Sequence, residues 1–247
     1  MLDFNSSSLF AERVNRFADA AIADAPEEKR SYLGCSALGG PCERAAQYEA
    51  LRAMGEIAGP QPDPRLRRIY WRGQEAESWC ARWMRMAGFL LVTEDASTGS
   101  QFEVLFLDGF LRGHADGLLL HWRRKEQAPC AFPALWECKC LGAKGWRQLA
   151  REKLRKAYPK YYAQVQLYMN GLRIERCVLT ALNADTMELH HELVPYDEGV
   201  AREMLARAER VRTACALGEM LPRQSSRETD VMCRFCNFSD ICWRKDA

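Results

Sequence analysis

The stretch Ala134-Leu135-Trp136-Glu137-Cys138-Lys139-Cys140 decides how this chain is read. It is an apolar, strand-like run that carries a carboxylate and a lysine two residues apart. Side chains at i and i+2 of a strand share a face, so Glu137 and Lys139 project together while Cys138 points the other way. Two charges on a buried face are costly unless they pair with each other or hold a metal. Upstream, Gly113-His114-Ala115-Asp116-Gly117-Leu118-Leu119-Leu120 repeats the pattern with one carboxylate in an apolar run. An Asp on one strand and Glu-x-Lys on a neighbour are the minimal equipment for metal-assisted phosphodiester hydrolysis. The carboxylates hold a divalent cation, and the lysine places and polarises the attacking water.

Bulk properties narrow the setting. With 247 residues, the chain can bury one substantial core. A hydrophobic share of 48% and a charged share of 28% are those of an ordinary globular protein. No run of about 18 apolar residues is present, so no membrane span is expected. Met1-Leu2-Asp3-Phe4-Asn5 lacks the basic and apolar regions of a signal peptide, and the expected location is cytoplasmic. Between Lys144 and Lys160 lie seven basic residues and one acid, Glu152. Such an excess suits a polyanionic partner, although a solvated helix face has the same composition. Arg147, Arg151 and Lys153 are the candidate phosphate contacts, on charge alone.

The order of elements predicts an α/β fold with a central mixed sheet. A helical lead-in covers residues 1–31, a turn Ser36–Pro41, and a helix Glu43 to Met54. Three prolines in Gly59–Pro64 predict a loop, followed by a helix from about Tyr70 to Ala87. Strands are expected over Phe89–Glu94, Phe102–Leu107, Phe110–Trp122 and Phe132–Leu141. A helical stretch from Trp146 to Gly171 is interrupted by Pro159. Strands Glu175–Leu182 and Met187–Val194 then lead to a helix from about Asp197 to Leu217.

Four motifs in this order resemble the RecB-like branch of the PD-(D/E)XK nucleases. They are Gly73-x3-Glu77 on a helix, Gly113-His114-Ala115-Asp116-Gly117, Glu137-Cys138-Lys139, and Gln164-Val165-Gln166-Leu167-Tyr168 on a later helix. Tyr158 to Met169 is especially similar to phage-encoded members. The resemblance spans about Ser36 to Trp243 and implies a restriction-endonuclease-like core over about 66–218 within a single domain, 1–247. It implies that Asp116 and Glu137 ligate Mg²⁺ or Mn²⁺ and that Lys139 orients or activates the water. Glu77 would be a further ligand or an organiser of the outer shell. Gln164 and Tyr168, one helical turn apart, would brace the site or touch the substrate backbone. The implied activity is that of a DNA exonuclease in recombination, replication or repair, with a single-strand annealing protein as the implied partner. The alternative is a non-catalytic DNA-binding subunit of a larger helicase–nuclease or integration complex. Many members carry a histidine on the motif helix; here Gly73 is followed by Gln74 and that helix has none. His114 shares its strand face with Asp116 and stays outside the catalytic set.

Eleven cysteines are many for a cytosolic chain, where disulfides are rare. Cys233-x2-Cys236-x5-Cys242 supplies three thiols, and a tetrahedral zinc or an iron–sulfur cluster wants four. Cys42, at a turn before a helix, is the best fourth ligand, with Cys35 as the alternative. One distant cysteine plus this tail resembles the iron–sulfur nucleases of the same branch, which implies a [4Fe-4S] cluster; ligand type leaves structural Zn²⁺ open. The cluster would clasp about 32–58 to 219–247.

Overall fold

The computed structural model describes residues 7–26, 30–59 and 63–244. Parts of the expected lead-in helix (1–6 and 27–29) and of the proline loop (60–62) fall outside the described residues. The chain begins with α1 (Ser7–Ala23), a short strand β1 (Leu33–Gly34), a single turn α2 (Cys35–Leu38), α3 (Glu43–Met54) and α4 (Pro64–Ala87). Then follow β2 (Phe89–Val92), β3 (Phe102–Phe106), β4 (Leu111–Ala115), β5 (Gly117–Trp122) and β6 (Ala134–Leu141). Helices α5 (Ala143–Ala157) and α6 (Pro159–Leu172) cross to β7 (Arg176–Asn183), β8 (Leu189–Pro195) and α7 (Glu198–Leu217). Two single turns close it, α8 (Val231–Arg234) and α9 (Ser239–Cys242).

Local chemistry sets these boundaries. The Asp63 carboxylate accepts the Arg65 and Leu66 N–H groups at 2.8 and 3.3 Å, and Pro64 occupies the first turn, where its missing donor costs nothing. This cap starts α4 six residues earlier than the expected Tyr70. Gly88, at φ 111°, ends the helix in the left-handed conformation. Pro159 divides the long helical stretch and opens α6 at its first turn.

Five strands form a mixed sheet in the order β2-β5-β6-β7-β8, in which β6 and β7 are parallel and the other neighbours antiparallel. A parallel pair needs a crossover, which α5 and α6 supply. The expected strand Phe110–Trp122 is in fact two. β4 pairs with β1 and β3 in a separate three-stranded sheet, while β5 joins the five-stranded one. Asp116 is the single residue between them. Gly117 permits the change of sheet, because a Cβ there would lie 2.7 Å from the Val92 carbonyl oxygen. A hydropathy pattern cannot reveal this, since both halves are apolar.

The five-stranded sheet is covered on both faces. On one, Leu135 and Leu179 pack with Leu167 of α6 and Val211 of α7; on the other, Trp136 and Leu182 pack with Ala76, Cys80 and Met84 of α4. The alternation predicted along β6 is observed, with Cys138 in the α4 layer and Leu135 in the α6 layer.

Candidate active site

Asp116, Glu137, Lys139 and Glu77 meet where the two sheets diverge. Asp116 accepts the Cys138 N–H through Oδ2 at 2.7 Å, so the junction between sheets is tied directly to β6. Glu137 is wholly buried; its Oε1 accepts from Lys139 Nζ at 2.5 Å, and its Oε2 is buried with no partner among the described residues. Glu77 reaches in from α4. Burial pushes its pKa up to about 7, with the charge of Asp116 adding to the rise. Burial likewise raises Glu137, to about 8, again reinforced by Asp116. Asp116 is raised by burial, partly offset by Lys139 and the Cys138 N–H. Burial alone would lower Lys139, but Glu137 and Asp116 outweigh it and hold the ammonium charged. Three carboxylates thus share one lysine in a low-dielectric setting, and a second positive charge would relieve them.

Helix α6 braces this group. Gln164 Nε2 donates to the Tyr168 hydroxyl at 2.9 Å, and both residues are buried. The Tyr168 ring approaches β4 so closely that a Cβ on Gly113 would lie 2.3 Å from its Cε1. Gly113 is therefore required by packing.

A cavity of about 500 Å³ opens onto the group, with Glu77, Asp116, Gln164 and Tyr168 in its wall. Its arginines are Arg30 and Arg112. A smaller cavity of about 280 Å³ adjoins it and shares Glu77, Ser78 and Gln101. None of Arg147, Arg151 and Lys153 lines either cavity. Arg151 pairs with Glu152 at 2.6 Å, and Lys153 adopts φ 65° at a kink inside α5. The fold brings Glu77, Asp116, Glu137, Lys139, Gln164 and Tyr168 together; Glu137 and Lys139, like the three basic candidates, stand outside the cavity walls.

Sequence reasoning assigned no role to Tyr161, whose ring centre lies 5.0 Å from Lys139 Nζ. The only signal was its place in the Tyr158-to-Met169 stretch, two residues past Pro159. It also assigned no role to Tyr32 and Arg112 of the cavity wall, and His114, quoted in the β4 motif but kept outside the catalytic set, lines the same wall.

The cysteines of the tail also gather. Burial pushes the Cys236 thiol up, the Phe238 N–H partly offsets this, and charge on Cys42, Cys242 or Cys233 would push it further. The upstream cysteine therefore lies within electrostatic reach of the tail. All four are free thiols, half-buried. Cys35 lies elsewhere, buried in the wall of the large cavity. The tail is held to α3 by two bonds of Gln47, whose Nε2 donates to Glu219 O at 2.6 Å and whose Oε1 accepts from Leu221 N at 2.8 Å. Tyr48 and Phe238 stack beside them, 5.4 Å between ring centres. Among the described residues, no group of three or more His, Cys, Asp or Glu side chains is already placed to hold a metal ion.

No protein-family model matches the sequence, and no curated protein matches it. Solved structures do match in fold. An alkaline exonuclease, LHK-Exo from Laribacter hongkongensis, superposes with a TM-score of 0.52 at 16% identity, over 82% of this chain and 93% of that one. The crystal structure of SSO0001 matches with a TM-score of 0.50 at 16% identity, over 94% of this chain and 97% of that one. The chain is thus a mixed α/β protein with an exonuclease-like fold. At this identity the likeness is one of architecture.

Proposed function

We propose that the chain is a divalent-metal-dependent DNA nuclease of RecB-like PD-(D/E)XK type that degrades DNA from an end. One observation carries this: Asp116 and Glu77 line a cavity, and the buried Glu137–Lys139 pair lies directly behind them, with Glu137 Oε2 unpartnered among the described residues. The residues fit a hard cation. Mg²⁺ is held by one or two carboxylates and keeps several waters, so a complete protein cage is not needed. Asp116 and Glu137 would hold Mg²⁺ or Mn²⁺, with Glu77 as a third ligand or as an acceptor for its waters. A bound ion supplies Lewis acidity at the scissile phosphate. Lys139, kept charged by Glu137, orients the attacking water and stabilises negative charge as it develops on the phosphate. Gln164 and Tyr168 keep α6 and β4 in register behind the carboxylates.

The exonuclease-like fold supports this choice. The whole of 1–247 is one nuclease domain with its core over about 66–218, and DNA is the substrate. Work in recombination or repair, beside a single-strand annealing protein, follows by resemblance. We also assign Cys42, Cys233, Cys236 and Cys242 to a [4Fe-4S] clasp joining 32–58 to 219–247, because four thiols suit such a cluster. Structural Zn²⁺ is the competing occupant. Anaerobic purification followed by metal analysis separates them: iron with absorption near about 400 nm supports the cluster, and zinc in a colourless protein rejects it.

Activity is tested on end-labelled linear and closed circular DNA with Mg²⁺, Mn²⁺ or EDTA. Loss of linear DNA, sparing circles and abolished in Glu137→Ala and Lys139→Ala, is the expected outcome. Cleaved circles would indicate an endonuclease, and no cleavage under any condition would reject the proposal.

A further inference from the structure

Helix α7 carries a charge that the hydrolytic chemistry leaves unexplained. Arg207 is 9% exposed, on a helix that packs against α3. Its Nη1 donates to the Gly40 carbonyl at 2.6 Å, but its Nε and Nη2 are buried with no partner among the described residues. Glu43 does not supply one. Glu43 Oε1 stays 3.8 Å from Arg207 Nε, and both oxygens accept from Arg210, at 2.5 and 3.1 Å. Burial works against the charge on Arg207; Glu43 offsets this most, and charge on Cys42 comes next. Arginine does not resolve such a conflict by losing its proton. A buried cation with two free donors therefore stands within electrostatic reach of Cys42, and an anion is what would satisfy it.

The turn that delivers Cys42 is fixed by the core. A Cβ on Gly39 would lie 2.6 Å from the Lys160 Cα of α6, so the turn packs there backbone on backbone. Gly40 is tied to α7 by Arg207 itself. Cys42 is the N-cap of α3, and its side chain makes no capping hydrogen bond, which leaves the sulfur available. Its charge, with that of Cys242 and Cys233, also acts on Cys236.

Resting on the four-thiol clasp proposed above, we infer that Arg207 is the positioning cation of that centre, its Nε–H and Nη2–H donating to the Cys42 sulfur once a metal holds it as thiolate. Four thiolates leave the centre with net negative charge whether Zn²⁺ or an iron–sulfur core occupies it, so either occupant provides the anion that Arg207 lacks. Donors around metal ligands fix their orientation and strengthen binding. The arm and the centre become interdependent in this way. The guanidinium that meets the sulfur also holds the Gly40 carbonyl, so metal at Cys42 fastens the 40–42 turn to α7. Without metal the same charge opposes folding.

Metal binding tests this separately from DNA cleavage. Reduced, metal-free, full-length protein is titrated anaerobically with Co²⁺, whose thiolate charge-transfer bands report a four-thiolate site. Arg207→Met is expected to weaken Co²⁺ binding by about ten- to hundredfold, the range for removing a group that orients a metal ligand. Arg207→Lys keeps the charge without the planar fork and should recover part of the loss. Melting of the metal-free proteins separates this role from that of a plain brace. Removing an unbalanced buried charge should leave the metal-free melting temperature of Arg207→Met unchanged or higher, despite the lost bond to Gly40. A lower metal-free melting temperature together with weaker Co²⁺ binding overturns the inference, because Arg207 then serves only to hold the turn. Unchanged Co²⁺ affinity in Arg207→Met overturns it as well, and leaves the clasp standing. No Co²⁺ uptake by the unsubstituted protein, or bands that persist unchanged in Cys42→Ala, rejects the clasp itself and the inference with it.

Discussion

Glu137 holds the central conflict of the molecule: a wholly buried carboxylate with one oxygen on Lys139 and the other without a partner among the described residues. Stability alone would remove such a charge, because burial and the neighbouring Asp116 and Glu77 carboxylates all disfavour it. Glu137→Gln is expected to raise the metal-free melting temperature by about 2–8 °C. Added Mg²⁺ should raise the melting temperature of the unsubstituted protein and leave the variant unmoved, since only a bound ligand stabilises by mass action. Calorimetry with and without metal checks both. Tyr161 belongs to the same scale. Its ring lies beneath the Lys139 ammonium, a contact of about 0.5–2 kcal/mol when shielded from water. Tyr161→Leu should lower kcat by about two- to thirtyfold with little change in KM, whereas Tyr161→Phe keeps the ring and the rate. The charge pair itself was legible from the i, i+2 rule; Tyr161 was not, because its partner is twenty-two residues away on another element.

Among the elements, β4 and β5 show where periodicity stops being informative. Two apolar strands joined by one residue look like one long strand, and only pairing partners reveal that Asp116 lies between two sheets. Helix boundaries were more legible. Pro159, Gly88 and Asp63 act through local sterics and hydrogen bonds, although the cap at Asp63 moved the start of α4 back from Tyr70. The outer strand β8 carries a titratable prediction. His190 is half-buried edge-on to Trp146, its Nε2 buried without a partner among the described residues. Burial, and then the charge of Lys153, lower its pKa below the usual 6.5. A base whose folded pKa is depressed contributes stability above its unfolded pKa and loses it as pH falls through the folded value. The raised Glu77 and Glu137 pull the other way, so the His190 contribution is read as a difference: the urea midpoint of the unsubstituted protein should fall relative to that of His190→Phe, which keeps an aromatic edge against Trp146, as pH decreases below about 6.5.

Across the whole molecule, the chain returns to its beginning. Gln47 of α3 is 1% exposed and satisfies two backbone groups of the 219–221 segment, more than 170 residues later. Gln47→Ala would leave a carbonyl and an N–H without partners, at a cost of about 1–3 kcal/mol. The expected outcome is early proteolysis after residue 217, with hydrogen exchange in β6 and β7 unchanged, because the tail opens locally while the core stays closed. A uniform loss of protection across the sheet would show that the tail folds with the core. What the sequence alone determined was the chemistry: Glu137 and Lys139 on one strand face, an upstream Asp, four candidate thiols, and helix breaks marked by Pro and Gly. These follow from periodicities and sterics that act over a few residues. The tertiary structure decided that Asp116 sits at a break between sheets, that Glu77 enters from α4, that Arg112 lines the cleft beside Asp116, and that Cys42 comes within electrostatic reach of Cys236. Each depends on which distant surfaces can be buried together, a global packing choice that no local pattern encodes.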